Sequence, residues 1–224
     1  MKKTMTILLL TLAVFSLGAA TVYVGGEAGG NTNAIIAGEG YSGYTYTPAS
    51  GSSISVPVVV EFSYGMGLET GLSYVKKSYD YDKYIKVAGT EGTLFKYSVE
   101  NGFLEIPVLF RYSFAIAGSR WNAFAAIGGF AGFWLSGMRT GAVYGFSSER
   151  PVEEKTDLSY YNRFQAGVTA SAGIGYSFTS CEVYVKAGCS LSLTDLNRSQ
   201  KHASYPVHNS TVTVAAGILW GINE

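Results

Sequence analysis

The sequence has little charge. Acidic and basic residues make up 14% of the 224 residues, whereas an ordinary soluble domain contains about 25%. The 16 basic and 16 acidic residues cancel, so the chain has no net charge with which to neutralise nucleic-acid phosphates. This composition excludes electrostatically driven binding of nucleic acid and leaves few charges to cover a fully solvated surface.

Long apolar runs are also scarce. The one substantial run, Met5–Leu17, follows Lys2 and Lys3 and precedes Gly18-Ala19-Ala20, the pattern of a cleavable secretory signal. We therefore predict a signal peptide over residues 1–20 and one mature domain over 21–224. No later run reaches the ~20 residues that a spanning helix needs, so a mature chain that resides in a membrane must do so as a β-barrel.

Cysteine and catalytic motifs are sparse as well. Cys181 and Cys189 are eight residues apart, about 26 Å along a strand, which excludes a disulfide within that strand. We expect both to be small apolar side chains facing lipid. The chain has no Walker loop, HExxH, cysteine-rich metal spacing or G-x-S-x-G, and no cofactor is indicated.

A period-two alternation dominates the rest of the chain. It runs over 54–64, 104–114 and 162–178, where apolar residues alternate with Gly, Ser and charged residues. This period is typical of strands with two different faces. Charges in mid-strand on the small-residue face are natural for the inside of a membrane barrel. A soluble lipocalin-like barrel is the third-ranked interpretation. In that fold the Gly-rich polar face of 163–177 would be the solvated exterior, and it is too poor in charge for that.

Eight segments carry strand signals and alternate between long and short connections. The pattern predicts an all-β, antiparallel, transmembrane up-and-down β-barrel with short periplasmic turns and long outer loops. Ten strands remain an alternative, because 78–102 either extends its neighbours beyond the bilayer or forms an extra hairpin. The predicted strands are 21–29, 54–64, 68–77, 103–114, 121–135, 162–178, 181–193 and 210–222.

One strand resembles a known family motif. Residues 103–112 read Phe-Leu-Glu-Ile-Pro-Val-Leu-Phe-Arg-Tyr and resemble the "YLEIPLLLKY" strand of PorT-like outer-membrane β-barrel domains. Segments 123–132, 172–176 and 191–197 are similar to later parts of that family. The resemblance covers essentially the whole mature chain and implies an outer-membrane barrel of a broad family in which most members have no assigned activity.

The predicted inward face holds the charged residues that could take part in chemistry. Parity places nine charged residues there, and we predict that a subset forms a packed network that closes the lumen, because an eight-stranded barrel has just enough room for its side chains and buried charges need partners. In this hypothesis Arg111 and Arg163 meet Glu61, Glu105 or Glu182. The nine are Glu27, Glu61, Glu69, Lys77, Glu105, Arg111, Arg163, Glu182 and Lys186, and the predicted network comprises Glu61, Glu105, Arg111, Arg163, Glu182 and Lys186.

These features predict a non-enzymatic envelope or surface-interaction protein of the bacterial outer membrane with four exposed loops. The expected partners are outer-membrane lipid, the barrel-assembly machinery, periplasmic chaperones and an extracellular ligand held by the loops. A small porin-like channel is the first alternative. The second is a lipid A hydrolase using His202 and Ser204, whose His-x-Ser spacing suits a Ser–His relay; Tyr205 departs from the deacylase motif, which has Asn there.

Overall fold

The computed structural model describes residues 21–37, 44–85, 93–145, 148–158, 161–196 and 207–222. The predicted signal peptide and the His202/Ser204 pair lie outside these residues. Nine strands are present in the described part of the chain: β1 Thr21–Ala37, β2 Tyr44–Glu61, β3 Met66–Ile85, β4 Thr93–Ala115, β5 Trp121–Gly145, β6 Ser148–Lys155, β7 Phe164–Ser177, β8 Cys181–Ser192 and β9 Val207–Gly221.

Eight of the strands form a closed antiparallel ring. Each pairs with its sequence neighbour, except that β5 pairs with β7, and β1 closes the ring against β9. The short β6 is not part of the ring: among the described residues its one partner is the upper part of β5, from Met138 to Gly145. The predicted eight-stranded, up-and-down barrel is confirmed.

The two faces of the ring are inverted relative to a soluble protein. Large apolar side chains point outward and are exposed, as with Ile54 at 63% and Ile127 at 66%, while Arg111 and Lys77 are almost completely buried inside. The described residues contain no helix with the length and hydropathy to cross a bilayer. The outward apolar side chains form a continuous band around the ring, as expected for a surface that meets lipid.

The strands run beyond their predicted bounds at the end with the long connections. Residues 30–53, 78–102 and 136–161 were predicted as largely polar connections, and that prediction is wrong over much of their length. Segment 78–102 extends β3 and β4 and their pairing continues to Ile85 and Thr93, so it adds no hairpin. Above the apolar band the outward face carries polar residues such as Asp80 and the inward face tyrosines such as Tyr79. Such a composition suits a loop as well as a strand.

A bulge in β5 changes which of its side chains face inward. Phe103 pairs with Trp134, but the preceding Gly102 pairs with Ser136, so Leu135 is an extra residue in β5. An extra residue reverses the inside–outside alternation beyond it. Inward positions on β5 are therefore even up to Trp134 and odd above it, which turns Arg139 towards the inside of the upper barrel.

The opposite end of the ring has tight turns. Between β2 and β3 a 3-10 turn spans Ser63–Gly65, with positive φ at Tyr64 (67°) and Gly65 (75°). A Cβ added to Gly65 would lie 2.0 Å from the carbonyl oxygen of Ser113. The turn therefore requires glycine at position 65.

Candidate functional site

A buried guanidinium occupies the lower lumen. The Arg111 side chain is 2% exposed, and its Nη1 and Nη2 lie 3.3 Å and 3.4 Å from carboxylate oxygens of Glu69 and Glu182. Its Nε donates to the Ser113 hydroxyl at 3.1 Å, and the guanidinium lies 3.8 Å from the Phe124 ring centroid. Inward alternation on β3, β4 and β8 brings these groups together, and two carboxylates and an aromatic face offset the desolvation of the charge.

A lysine shares one of those carboxylates. Lys186 Nζ lies 2.7 Å from Glu27 Oε2 and 3.0 Å from Glu69 Oε1. The Tyr184 hydroxyl donates to the same Glu27 oxygen at 2.7 Å. Glu69 therefore joins Arg111 and Lys186 into one network.

A second cluster lies higher in the lumen. Lys77 Nζ is 2.6 Å from Glu105 Oε1 and donates to Gln165 Oε1 at 3.1 Å. The ammonium group also lies 5.0 Å and 5.3 Å from the ring centroids of Phe103 and Phe130. Between the two clusters is a cavity of about 120 Å³, lined by Glu27, Ser55, Glu69, Ser73, Lys77, Glu105, Leu109, Phe130 and Lys186 among others.

Two residues of the predicted network lie apart from these clusters. Glu61 is half-buried and has no ion pair with any described residue. The placement of Arg163 in the lumen is wrong: the residue is exposed, its Nε donates to the Trp134 carbonyl at 3.1 Å, and its guanidinium lies 4.5 Å from the Phe133 ring centroid. The reason is that β7 begins at Phe164, so strand alternation does not apply at position 163.

The structure brings together Arg111 and Glu182 from the predicted network, and Lys186 joins them through Glu69. Glu105 instead pairs with Lys77. Parity identified Glu27, Glu69 and Lys77 as inward, but the predicted network omitted them. Their roles follow from which strands face each other across the ring, which depends on strand length and register rather than on alternation.

A cleft of about 490 Å³ opens above the Lys77 cluster, at the long-connection end. Five tyrosines on the inward faces of β2, β3 and β4 form a continuous group whose neighbouring ring centroids are 5.2 to 6.4 Å apart. These are Tyr44, Tyr46, Tyr79, Tyr81 and Tyr97, and we call them the tyrosine wall. All of them except Tyr97 line the cleft. Four rings of the wall therefore border one space.

Arg139 stands beside the tyrosine wall. It pairs with Glu154 of β6, donates from Nη1 to the Tyr81 hydroxyl at 3.4 Å, and places its guanidinium 4.8 Å from the Tyr97 ring centroid. Burial raises the pKa of both Tyr79 and Tyr81 above the ordinary tyrosine value. Both hydroxyls are protonated at neutral pH, as ordinary tyrosine hydroxyls are, and can donate hydrogen bonds.

Polar and aromatic groups form the floor of the cleft. Asn101 is 2% exposed, and its Oδ1 has no hydrogen-bond partner among the described residues. The Trp134 ring lies 5.1 Å from that of Tyr161, and its Nε1 donates to the Ser136 carbonyl at 2.7 Å. In the described part of the chain no group of three or more His, Cys, Asp or Glu residues is placed to hold a metal ion.

An eight-stranded antiparallel ring with an apolar outer band and a charged interior defines a transmembrane β-barrel of the bacterial outer membrane. The chain belongs to the outer membrane protein beta-barrel domain family, whose model matches residues 18–198. The long connections of such barrels face the outside of the cell, so the end that carries the cleft is called extracellular below.

The chain is similar to several solved outer-membrane barrels at low identity. Neisserial surface protein A is 11% identical, with 90% of this chain and 98% of that chain covered and a TM-score of 0.44. OprG from Pseudomonas aeruginosa is 9% identical (92% and 97% covered, TM-score 0.49), and Ail of Yersinia pestis is 11% identical (88% and 98%, TM-score 0.35). No curated protein matches the chain.

Proposed function

We propose that this protein is a non-enzymatic outer-membrane anchor with a closed lumen, acting at the cell surface through its extracellular end. The observation that carries the proposal is that buried ionic contacts cross the lumen. Arg111 on β4 reaches Glu182 on β8, and Lys186 on β8 reaches Glu69 on β3, on the opposite side of the ring. A solute could pass only if these contacts separated.

Separating such contacts is costly. Removing one partner from a buried ion pair typically destabilises a protein by about 3–5 kcal/mol. The aromatic side chains Phe103 and Phe124 are fully buried next to the two clusters and fill space that ions and water would need. Closure and rigidity therefore have the same physical source.

The lipid-facing band would hold the barrel in outer-membrane lipid, and the barrel-assembly machinery and periplasmic chaperones would be its partners during biogenesis. The similarity of residues 103–112 to the PorT-like group supports a place for the chain in that branch of the family. The hydrolase alternative depends on His202 and Ser204, and hydrolysis of lipid A by the wild type that is lost in Ser204→Ala would overturn the non-enzymatic proposal.

A small channel is the competing function, and one observation favours it. The cavity of about 120 Å³ between the two ionic clusters has room for several water molecules, so the lumen is not filled throughout. A channel would require this cavity to connect with both ends.

Planar-bilayer recording of the refolded mature protein tests the proposal. A heat-modifiable gel shift first establishes that the barrel has folded. We expect folded protein to produce no discrete openings. Stable, reproducible single-channel steps from the folded form would overturn the closed-anchor proposal and favour the channel.

A further inference from the structure

We infer that the extracellular cleft binds a neutral oligosaccharide. The inference rests on the proposed surface role and gives that role a ligand class. It is carried by the coincidence, in one cleft, of an aromatic wall, an unsatisfied buried amide and a balanced set of charges.

The tyrosine wall supplies the flat surfaces. Neighbouring rings such as Tyr46 and Tyr81 lie 6.1 Å apart and support one another from adjacent strands. A tyrosine ring offers a large, rigid contact area at a low cost in conformational entropy, and the negative face of the ring suits the C–H groups on one face of a pyranose. The hydroxyls lie at the edges of these rings, where they meet the same ligand.

The floor of the cleft contains a polar atom that needs a hydrogen-bond partner. A buried amide oxygen without a partner is unfavourable, and Asn101 Oδ1 is in that condition at the bottom of the cleft. A sugar carries several hydroxyls, each both a donor and an acceptor, so one can donate to Asn101 Oδ1 while others accept from Arg139 or from the hydroxyl of Tyr81. An apolar ligand would leave the amide unsatisfied.

The charges favour a neutral ligand. Arg139 and Lys155 line the cleft together with Glu154 and Asp157, so two cations face two anions. Arg139 is already paired with Glu154 and has no excess charge to offer. An anionic ligand would have to compete with these carboxylates, whereas a neutral one would not.

Position and size agree with a binding site rather than a transport path. The cleft volume of about 490 Å³ lies within the ~300–1,000 Å³ range of ligand pockets. The Lys77 and Arg111 clusters lie beneath it and cross the lumen. A bound sugar would therefore enter and leave on the extracellular side.

Trp134 provides the readout. It lines the cleft, whereas the other two tryptophans, Trp121 and Trp220, are exposed at the ring's periplasmic end. Trp121→Phe and Trp220→Phe together leave Trp134 as the single fluorophore. Folding must use a detergent without a sugar headgroup, because an alkyl glycoside would compete. The probes are maltotriose, cellotriose and triacetylchitotriose, with trigalacturonate as the anionic comparison.

We expect at least one neutral trisaccharide to change Trp134 emission saturably and trigalacturonate to bind more weakly. Tyr46→Ala and Tyr81→Ala should each weaken binding by about tenfold or more, the scale of an aromatic hot spot. Tyr81→Phe keeps the stacking surface and should retain most of the affinity. Tyr64→Ala, an exposed tyrosine at the opposite end of the barrel, should have no effect.

Three results would overturn the inference: no saturable change with any neutral probe, trigalacturonate binding at least as tightly, or full affinity in Tyr81→Ala. Each variant is first checked by its heat-modifiable gel shift, which separates loss of binding from loss of folding. A closed barrel that binds no sugar contradicts only this inference. A barrel that conducts contradicts the proposed closed anchor, whatever its affinity for sugars.

Discussion

Arg111 shows how a single charge can be stabilising in a place where charge is normally excluded. Its side chain is buried, yet its guanidinium meets two carboxylates, one hydroxyl and one aromatic face. Each of these offsets part of the desolvation of a buried cation. The residue therefore links β3, β4 and β8 inside the ring.

Arg111→Met, which keeps side-chain length but removes the charge, should lower the free energy of unfolding by about 3–5 kcal/mol, because Glu69 and Glu182 lose their shared cation. Urea unfolding of the barrel in lipid vesicles, followed by tryptophan fluorescence, measures this. The matched control is Lys76→Met in the exposed Lys76–Glu100 pair, whose side chains are 48% and 59% exposed; about 1 kcal/mol or less is expected there.

Equal effects at Arg111 and Lys76 would contradict the account of Arg111 as a buried tie. The double variant Arg111→Met with Glu182→Gln should recover part of the loss, since it removes the carboxylate left without a cation, whereas Glu69 keeps Lys186. No recovery would indicate that the loss comes from packing rather than from charge.

At the residue scale, alternation predicted which charges point inward where a strand is formed and has no bulge. It could not predict which charges meet, because contacts such as Lys186–Glu69 join strands on opposite sides of the ring. Alternation also failed at Arg163, where the strand has not yet begun. Inward direction is a local property of the backbone, whereas pairing depends on the closed ring.

Among the elements, the turn between β2 and β3 accepts a side chain at one position and excludes it at the next. Tyr64 and Gly65 both have positive φ, but Tyr64 is 89% exposed and Gly65 packs against the Ser113 carbonyl. A left-handed conformation costs a residue with a Cβ about 1–2 kcal/mol. A Cβ at position 65 would add a steric clash to that cost, whereas the exposed side chain of Tyr64 has none.

Gly65→Ala should therefore lower the free energy of unfolding by about 1–3 kcal/mol. Tyr64→Gly removes a comparable backbone cost from the folded state, but the more flexible glycine favours the unfolded chain by about 0.5–1 kcal/mol. The variant should therefore stay within about 1 kcal/mol of the wild type or be more stable than it. The vesicle unfolding assay compares the two variants directly. If Gly65→Ala proves as stable as Tyr64→Gly, the close approach to Ser113 does not constrain the turn.

Strand length is the property of the elements that sequence predicted least well. The lower halves of β2 to β5 alternate between lipid and lumen and were found correctly. Their upper halves, such as Thr93–Asn101 of β4, have polar residues outside and tyrosines inside, a pattern that also suits a loop. The cleft was missed for the same reason, and the Leu135 bulge that turns Arg139 inward leaves no sequence signal.

At the scale of the whole molecule, the proposed closed lumen would be blocked at two levels. Phe103 packs beside Lys77 at the upper level and Phe124 beside Arg111 at the lower one. Truncating one of these rings should leave the other level intact, so Phe103→Ala and Phe124→Ala alone should remain silent in planar bilayers. The double variant should show discrete openings, because water can then reach both ionic clusters and weaken the contacts that cross the lumen.

Phe110→Ala, which truncates a lipid-facing ring, is the control and should remain silent. Each variant must first show a heat-modifiable band, since a core Phe→Ala change typically costs about 3–5 kcal/mol. Openings in either single variant, or silence of a folded double variant, would contradict a two-level block.

The closure of the ring has a consequence for the order of events in biogenesis. The first and last strands are partners, joined at 15 positions from Tyr23 with Gly221 to Ala37 with Val207. These are contacts between residues far apart in the chain, which form slowly because a long loop must close first. An incomplete chain would have two open strand edges and no means to satisfy them, and such edges invite aggregation. Closure of the ring must therefore follow the synthesis of β9.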